Sequence, residues 1–248
     1  MSTTTNRPTG GTAARIAEDI GSAIVAGRYR ADELVPGEFA LSRKFRASRP
    51  VVREALKLLS AKGLIDARKR TGTRARPREA WHMLDADVLA WHLKEGRRKR
   101  GKAEPKFVFD LLHARAVIEP AAAAMAARSH TARTLKPIEA AFADMEANAH
   151  DRVLFAAPDI RFHKAILSAT GNDFIAAFGA LIETALGAFV RIASRHKGAP
   201  APSVPLHRAI LEAIRRRDAE GAHAAMLALL HRTARNVQRN VKRGSRQR

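Results

Sequence analysis

Three side chains in the second half of the sequence have the chemistry of a metal site. Asp159 and His163 are four residues apart, so that in a helix they share one face, and His207 opens a later segment of helical pattern. A carboxylate and imidazoles bind divalent cations, and zinc, nickel and manganese are all allowed by this nitrogen and oxygen set. The spacing predicts a divalent metal site, although a surface acid–histidine pair or a helix-capping aspartate would give the same pattern.

A second candidate site lies on the first helix of the same half, where Arg115 and Glu119 share a face. A guanidinium matches a carboxylate with two parallel hydrogen bonds, but it is costly inside a helical bundle unless it is paired. Arg115 is therefore predicted to clamp the carboxylate of a small effector, and an internal Arg115–Glu119 pair is the alternative. Asn172 either adds an amide contact to that effector or caps the next helix.

Two arginines in the first half have the spacing of a DNA-reading pair. Arg49 and Arg53 fall on one face of a predicted helix whose opposite face is apolar. The planar fork of arginine binds guanine O6 and N7 together, or a phosphate, so that such a helix suits the major groove. Residues 68–76 include five basic residues around Gly72, which predicts a hairpin tip that reaches DNA beside the helix. A solvated arginine pair is the alternative.

The composition favours a polyanionic partner. The 248 residues include 45 Lys and Arg against 24 Asp and Glu, which gives a formal charge of +21 and favours nucleic acid over a membrane surface. The absence of cysteine excludes disulfides, thiolate nucleophiles and cysteine-based metal sites. The first residues lack the apolar core of a signal peptide, and the apolar segment Phe174–Val190 carries Glu183 at its centre. We therefore predict a cytoplasmic protein without a membrane span.

The fold is predicted to be mainly α, with one small hairpin. The predicted elements of the first 77 residues are a helix from Arg15 to Gly27, a short helix after Pro36-Gly37, a helix over Arg49–Lys62, and strands at 64–68 and 73–76. Ser48 is placed to N-cap the third of these helices, and Pro50 lies in its first turn, where a missing N–H costs nothing.

The rest of the chain carries a helical pattern throughout. Trp81, Leu84, Val88 and Trp91 recur at helical spacing and predict the apolar stripe of a short helix, which a basic linker at 96–102 follows. Six further helices are predicted at about 107–129, 134–149, 158–170, 173–197, 204–217 and 218–241. They would form a bundle, and the interior of a bundle is a usual place for a ligand or metal. The basic end of the last helix is either solvated or a contact to the DNA backbone.

The first half resembles the winged helix-turn-helix of GntR-family transcription regulators over about 60 residues. The motifs that carry the resemblance are Gly27-Arg28-Tyr29, Pro36-Gly37-Glu38, Ser48-Arg49-Pro50-Val51-Val52-Arg53-Glu54-Ala55-Leu56, Leu59-x3-Gly63-Leu64-Ile65 and Gly72. The resemblance implies DNA contacts by Ser48, Arg49 and Arg53, and by the wing-tip residues Arg70, Thr71, Gly72 and Thr73. Some members carry arginine where this chain has Phe39.

The second half resembles the FCD effector-binding domain of FadR-like GntR regulators over about 135 residues. The motifs are Arg115-x3-Glu119-Pro120-Ala121, Asp159-x2-Phe162-His163-x7-Gly171-Asn172 and His207-x2-Ile210-x2-Ala213-x4-Asp218. Many such domains bind a divalent metal through one Asp and three His, and the metal helps to hold a small carboxylate. Asp159, His163 and His207 match three ligands, but Leu229 stands at the usual position of the third histidine. Neither His223 nor His231 lies on the same helix face as Leu229.

The resemblance thus implies a three-ligand site, with water or effector in the open positions, or a domain without metal. It also implies a homodimeric repressor that binds double-stranded operator DNA and responds to a small carboxylate. Residues 81–91 are most similar to regulators of galactonate and related sugar-acid catabolism, which suggests a sugar acid such as galactonate or gluconate. The rival hypotheses are a metal-dependent hydrolase that uses Asp159, His163 and His207, and a sequence-blind nucleic-acid-binding protein.

The predicted domain organisation follows from these segments. We expect a flexible arm at 1–14, the winged helix-turn-helix at 15–77, a linker helix with a basic linker at 78–105, the effector-binding and dimerisation bundle at 106–241, and a basic tail at 242–248.

Overall fold

The structure is a computed structural model that describes residues 11–68, 72–98, 105–184, 186 and 203–246. The chain divides into two compact units, with the division between residues 103 and 104. The helices of the first unit are α1 (Thr12–Val25), α2 (Glu38–Phe45), α3 (Arg49–Ala61) and α4 (Ala86–Arg98), with one 3₁₀ turn at Arg78–Ala80. Helix α1 begins inside the segment that the sequence predicts as an arm, and residues 1–10 lie outside the described part.

The first unit also contains a sheet of three antiparallel strands. They are β1 (Leu34–Val35), β2 (Ile65–Arg68) and β3 (Gly72–Ala75), and β3 lies in the middle. The sequence predicts the hairpin of β2 and β3, and the register that pairs Arg68 with Gly72 places its turn where expected. Gly72 has a φ of +86°, a backbone conformation that side chains disfavour. Strand β1 was not predicted from the sequence, because two residues are too short for an alternating pattern.

One apolar core holds the first unit together. It includes the predicted inner faces of α1 and α3, with Ile16, Ile20 and Leu59 almost completely buried. Helix α4 closes this core through Val88 and Trp91. The indole of Trp91 packs so closely on Gly21 of α1 that a Cβ there would lie 2.3 Å from the ring. A residue without a side chain is therefore required where α1 and α4 meet.

The predicted stripe of Trp81, Leu84, Val88 and Trp91 is wrong in its first half. Trp81 follows the 3₁₀ turn and donates its indole N–H to the carbonyl of Arg76 at 3.0 Å, while Leu84 is 59% exposed. Asp85 begins the helix instead, because its carboxylate accepts the N–H groups of Asp87 and Val88. The predicted basic linker at 96–102 is wrong in its first three residues, because α4 continues to Arg98, and residues 99–102 lie outside the described residues.

The second unit is helical throughout its described residues. Its helices are α5 (Pro105–Ser129), α6 (Ala132–Ala147), α7 (Arg152–Ala169), α8 (Asp173–Ala177), α9 (Val204–Arg215) and α10 (Ala219–Arg246), and residues 179–184 are helical as well. Phe162, Ile138, Ile210 and Met226 bring α7, α6, α9 and α10 together in one core. The predicted continuous helix at 173–197 is interrupted at Phe178, and its residues beyond 186 lie outside the described part.

Helix α7 starts six residues before the predicted start at Pro158. Asp151 caps it by accepting the N–H groups of Val153 and Leu154 at 2.7 and 3.1 Å. Pro158 therefore lies inside the helix, where it lacks the N–H that would bond to the carbonyl of Leu154. From local sequence, a proline in a helical pattern indicates the start of a helix. Here Asp151 caps the helix earlier, and Pro158 is buried in the bundle, so that the helix continues through the proline.

The mainly α fold class predicted from the sequence is confirmed. Within the described residues, no helix is both long enough and apolar enough to cross a lipid bilayer.

Candidate functional site

Asp159, His163 and His207 come together inside the second unit. The first two lie one turn apart on α7, and His207 lies in the first turn of α9. Oδ1 of Asp159 is 3.0 Å from Nε2 of His207 and 3.5 Å from Nε2 of His163. One ligand atom of each residue lies within 4.8 Å of the other two, close enough for all three to bind one metal ion. The two histidines are buried, and Asp159 is partly exposed.

The other ring nitrogen of each histidine faces an acceptor. Nδ1 of His207 lies 2.9 Å from the carbonyl oxygen of Ser203, and Nδ1 of His163 lies 2.5 Å from Oε2 of Glu119. An acceptor at Nδ1 keeps the proton of a neutral imidazole on that atom and leaves the lone pair on Nε2. Both Nε2 atoms lie near Asp159, where an imidazole that is deprotonated at Nε2 would present its lone pair to a metal.

Two atoms that could bind a metal, Oδ1 of Asp159 and Nε2 of His207, do not form a hydrogen bond with each other. Oδ1 of Asp159 and Nε2 of His207 are 3.0 Å apart, yet both are buried and neither forms a hydrogen bond of acceptable geometry within the described residues. Buried polar atoms without a hydrogen-bond partner are unusual, and a bound ion or water is a common reason for them. The two atoms and the residue types therefore fit a divalent cation.

Arg115 is the largest completely buried side chain of the described residues, at 2% exposure, and lies on α5 beside this cluster. Its Nε donates to Oε1 of Glu119 at 2.5 Å, and its Nη2 to Oε2 at 3.4 Å. Glu119 thus connects Arg115 to His163. Nη1 of Arg115 is buried and has no hydrogen-bond partner among the described residues. The predicted Arg115–Glu119 pair exists, and it leaves one end of the guanidinium unused.

The charges of these groups shift each other's ionisation. Burial alone raises the pKa of Glu119, but the charges of Arg115 and His163 outweigh burial and hold this pKa at about 2. Burial lowers the pKa of His163, yet the charge of Glu119 and the contact with Asp159 raise it to about 9. Burial also raises the pKa of Asp159, but the adjacent imidazoles hold it well below its usual range. A metal ion would have to replace the His163 proton, because a ligand must offer its lone pair.

The other residues considered for this site are not part of the cluster. Leu229, at the usual position of the third histidine, is buried in the apolar core, and His223 and His231 are exposed. Asn172 is exposed, and its Oδ1 caps α8 by accepting the N–H groups of Phe174 and Ile175 at 3.0 and 3.2 Å. The capping alternative explains Asn172, and we leave this residue out of the proposed effector site.

The predicted DNA-reading arginines are exposed at the start of α3. Arg53 forms a two-point ion pair with Glu38 of α2, and the guanidinium of Arg49 lies 5.8 Å from the ring centre of Phe39. Ser48 is the N-cap residue of α3, but its side chain makes no capping hydrogen bond to the helix, contrary to the expectation. The sequence analysis did not assign Glu38 a role, because its partner Arg53 is distant along the chain.

The tip of the predicted wing is described in part. Gly72 and Thr73 begin β3, whereas Arg70 and Thr71 lie outside the described residues. Arg74 of the same strand donates to the carbonyl oxygen of Asp32 at 2.6 Å, which ties the wing to the loop before β1.

The chain combines a winged helix-turn-helix with a buried candidate ligand site in a helical bundle. This combination defines the class of DNA-binding regulators that respond to small molecules. Comparison with known families supports this class. Residues 12–74 match the bacterial regulatory proteins of the gntR family, and residues 110–232 match the FCD domain.

Similar proteins match most of the chain. The galactonate operon transcriptional repressor of Escherichia coli K12 is 32% identical over 90% of this chain and 95% of its own length. The uncharacterised regulator YieP of the same organism is 31% identical over 87% of this chain and 90% of its own length. The repressor NanR of Enterobacter sp. strain 638 is 28% identical over 87% of this chain and 81% of its own length. The chain belongs to the GntR family of transcription regulators, in the branch with an FCD domain.

Solved structures agree with the fold. Lar, which controls the agr system of Listeria monocytogenes, has a TM-score of 0.59 at 16% identity and matches 94% of this chain and 99% of its own. E. coli McbR/YncC has a TM-score of 0.52 at 12% identity and matches 94% of this chain and 100% of its own.

The family assignment confirms the predicted ligand-responsive transcription regulator. The rival prediction of a metal-dependent hydrolase built on Asp159, His163 and His207 is wrong, since the family and the relatives are regulators and not enzymes.

Proposed function

We propose that this chain is a homodimeric repressor that leaves its operator when a sugar acid binds beside a divalent metal in the FCD domain. The observation that carries the proposal is the unused Nη1 of Arg115, a buried cationic nitrogen next to the cluster of Asp159, His163 and His207. A buried guanidinium with an unpaired N–H end favours an anionic ligand, because a buried donor without an acceptor is costly.

Asp159, His163 and His207 would hold the metal, and a bound cation would supply a second positive centre for a carboxylate. Three protein ligands leave coordination positions for water or ligand, the arrangement that open metal sites use. Glu119 and the carbonyl of Ser203 would keep His163 and His207 in the ligand tautomer. With Leu229 in the core, the fourth protein ligand of many related domains is missing.

Arg115 would bind the carboxylate of the effector through Nη1. Glu119 already occupies Nε and Nη2, so that the guanidinium is fixed in direction before the ligand arrives. The sugar-acid class is supported by the galactonate operon repressor, which is similar over nearly the whole chain. Galactonate and gluconate both carry a carboxylate with neighbouring hydroxyl groups, and such groups suit a metal and an arginine together.

Two copies of the chain would bind one operator. Each chain carries one recognition helix, α3, and dimers of such proteins read two half-sites about one turn of DNA apart. The effector must bind more tightly to one arrangement of the two recognition helices, because equal affinity for both arrangements would leave the equilibrium between them unchanged. Light scattering of the purified chain and an operator series with altered half-site spacing test this part.

The decisive experiment compares effector binding in wild type and in Arg115→Lys, both loaded with zinc, nickel or manganese. Lysine keeps the positive charge beside Glu119 but lacks the planar fork. We expect galactonate or gluconate to raise the melting temperature of wild type and to release operator DNA, as measured by fluorescence anisotropy. Arg115→Lys should bind the operator normally and require at least tenfold more ligand.

Two controls make this result specific. Arg161→Ala removes an exposed arginine that pairs with Asp144 in the same unit, and its response should equal that of wild type. Galactose has no carboxylate and should have no effect. A normal response in Arg115→Lys, or an equal response to galactose, would refute the proposed site.

A further inference from the structure

Phe39 is an aromatic side chain that lies at the surface instead of in the core. It is the second residue of α2 and is 62% exposed, although Leu41 on the opposite side of the same helix is buried in the core. Single exposed apolar side chains are common on protein surfaces, and only the surroundings of such a side chain show whether it belongs to an interaction site. The surroundings of Phe39 therefore indicate what it contacts.

Phe39 lies beside the residues that are predicted to face DNA. The guanidinium of Arg49 is 5.8 Å from its ring centre, and the preceding residue, Glu38, holds Arg53 by two hydrogen bonds of 3.1 Å. Arg49 and Arg53 both lie at the start of the recognition helix. If Arg49 reaches the bases, the adjacent ring of Phe39 reaches the DNA surface as well.

DNA offers an apolar side chain few partners in the major groove. The phosphates and most base edges are polar, whereas the C5 methyl group of thymine is apolar and projects into this groove. Phenylalanine is among the side chains that contact this methyl group. Arg49, held near the ring face, would then position Phe39 against a base next to the one that an arginine reads.

We infer that Phe39 is a specificity-determining residue that reads the methyl group of a thymine in each operator half-site. Family members with arginine at this position would have a different preference there. The inference rests on the DNA-binding function of the family and is independent of the metal and effector proposals.

Replacement of single thymines by deoxyuridine tests the inference, because it removes only the methyl group. An operator is first selected from random duplex DNA with the full-length wild-type protein. Each thymine is then replaced in turn, and the dissociation constants of wild type and Phe39→Ala are measured by fluorescence anisotropy. For wild type we expect about a fourfold loss at one thymine per half-site, the loss that one buried methyl group predicts.

Phe39→Ala should bind the unmodified operator as weakly as wild type binds an operator with that deoxyuridine in both half-sites, and the same deoxyuridines should cost the variant nothing more. Leu84→Ala is the matched control, because Leu84 is equally exposed in the same unit and lies beside α4. This control should bind like wild type. Circular dichroism melting verifies that Phe39→Ala is folded.

Three outcomes would overturn the inference. The first is wild-type operator affinity in Phe39→Ala. The second is an undiminished deoxyuridine effect in that variant. The third is an equal loss of affinity on operator and on unrelated DNA, since this would place the ring against the sugar–phosphate backbone.

Discussion

Arg53 of the recognition helix is bound through its Nε and Nη2 atoms to the two carboxylate oxygens of Glu38, each at 3.1 Å. The pair joins α2 to α3 at the surface, and each partner shifts the pKa of the other towards its charged form. This two-point contact uses one edge of the guanidinium and leaves Nη1 directed elsewhere. Glu38 thereby fixes the orientation of a side chain that is expected to meet a base.

Glu38→Ala should lower the specificity of DNA binding rather than DNA binding as a whole. The substitution releases Arg53 from its fixed orientation and also removes a negative charge near the phosphates. We expect operator affinity to fall by roughly three- to tenfold while affinity for scrambled DNA stays equal or rises. Titrations on both DNAs at several salt concentrations measure this ratio. Equal gains on both DNAs would mean that Glu38 acts only as a repelling charge.

Arg53→Ala should weaken operator binding by roughly tenfold or more, because a two-point contact to a base edge is lost. Arg53→Lys is the matched variant, since it retains the charge for a phosphate but not the fork. If Arg53 reads a base, Arg53→Lys will resemble Arg53→Ala on the operator and resemble wild type on unrelated DNA. If lysine restores operator binding, Arg53 contacts a phosphate.

Asp159→Asn and His207→Gln should each weaken metal binding at least tenfold, because each removes one of three protein ligands. The measurement is the rise in melting temperature on addition of zinc, nickel or manganese to protein stripped with chelator, together with the metal content. His223→Gln alters an exposed histidine and should behave as wild type. A metal response that survives both ligand substitutions would place the metal elsewhere.

Leu229→His should convert the three-ligand site to a four-ligand site. Without metal, a histidine in this buried position is expected to cost about 1–3 kcal/mol of stability. With metal, the new imidazole should restore that stability and lower the metal dissociation constant below that of wild type. Chemical denaturation with and without metal gives both quantities. Equal destabilisation in both conditions would show that residue 229 does not reach the cation.

Asp85→Asn should destabilise the protein at neutral pH but not in acid. Burial raises the pKa of Asp85, but hydrogen bonds from Lys62 at 2.9 Å and from the first N–H groups of α4 lower it below its ordinary value. A lowered pKa contributes stability above the unfolded-state pKa, near 4, and this contribution is lost as the pH falls through the folded-state value.

Asparagine can still cap α4, so that the variant isolates the charge of Asp85. The expected loss is about 1 kcal/mol at pH 7 and should disappear towards pH 3 in urea unfolding experiments. A loss that is independent of pH would assign the effect to packing instead of charge.

Features that depend on neighbours along the chain could be predicted from local sequence. Gly37, Pro50 and the apolar spacing of Val52 and Leu59 define α2 and α3, because caps, φ restrictions and one-face burial act within a few residues. The four-residue spacing of Asp159 and His163 placed both side chains on one face of α7 in the same way.

Features that join distant segments depend on contacts between elements and could be seen only in the folded chain. The pairing of Leu34 with Arg74 creates β1, the approach of Glu119 to His163 orients a ligand, and Glu38 fixes Arg53. Pro158 stays inside α7 although local sequence favours a helix start there. In each case the deciding energy comes from burial and contacts between elements that no local pattern encodes, and these contacts also brought His207 to Asp159.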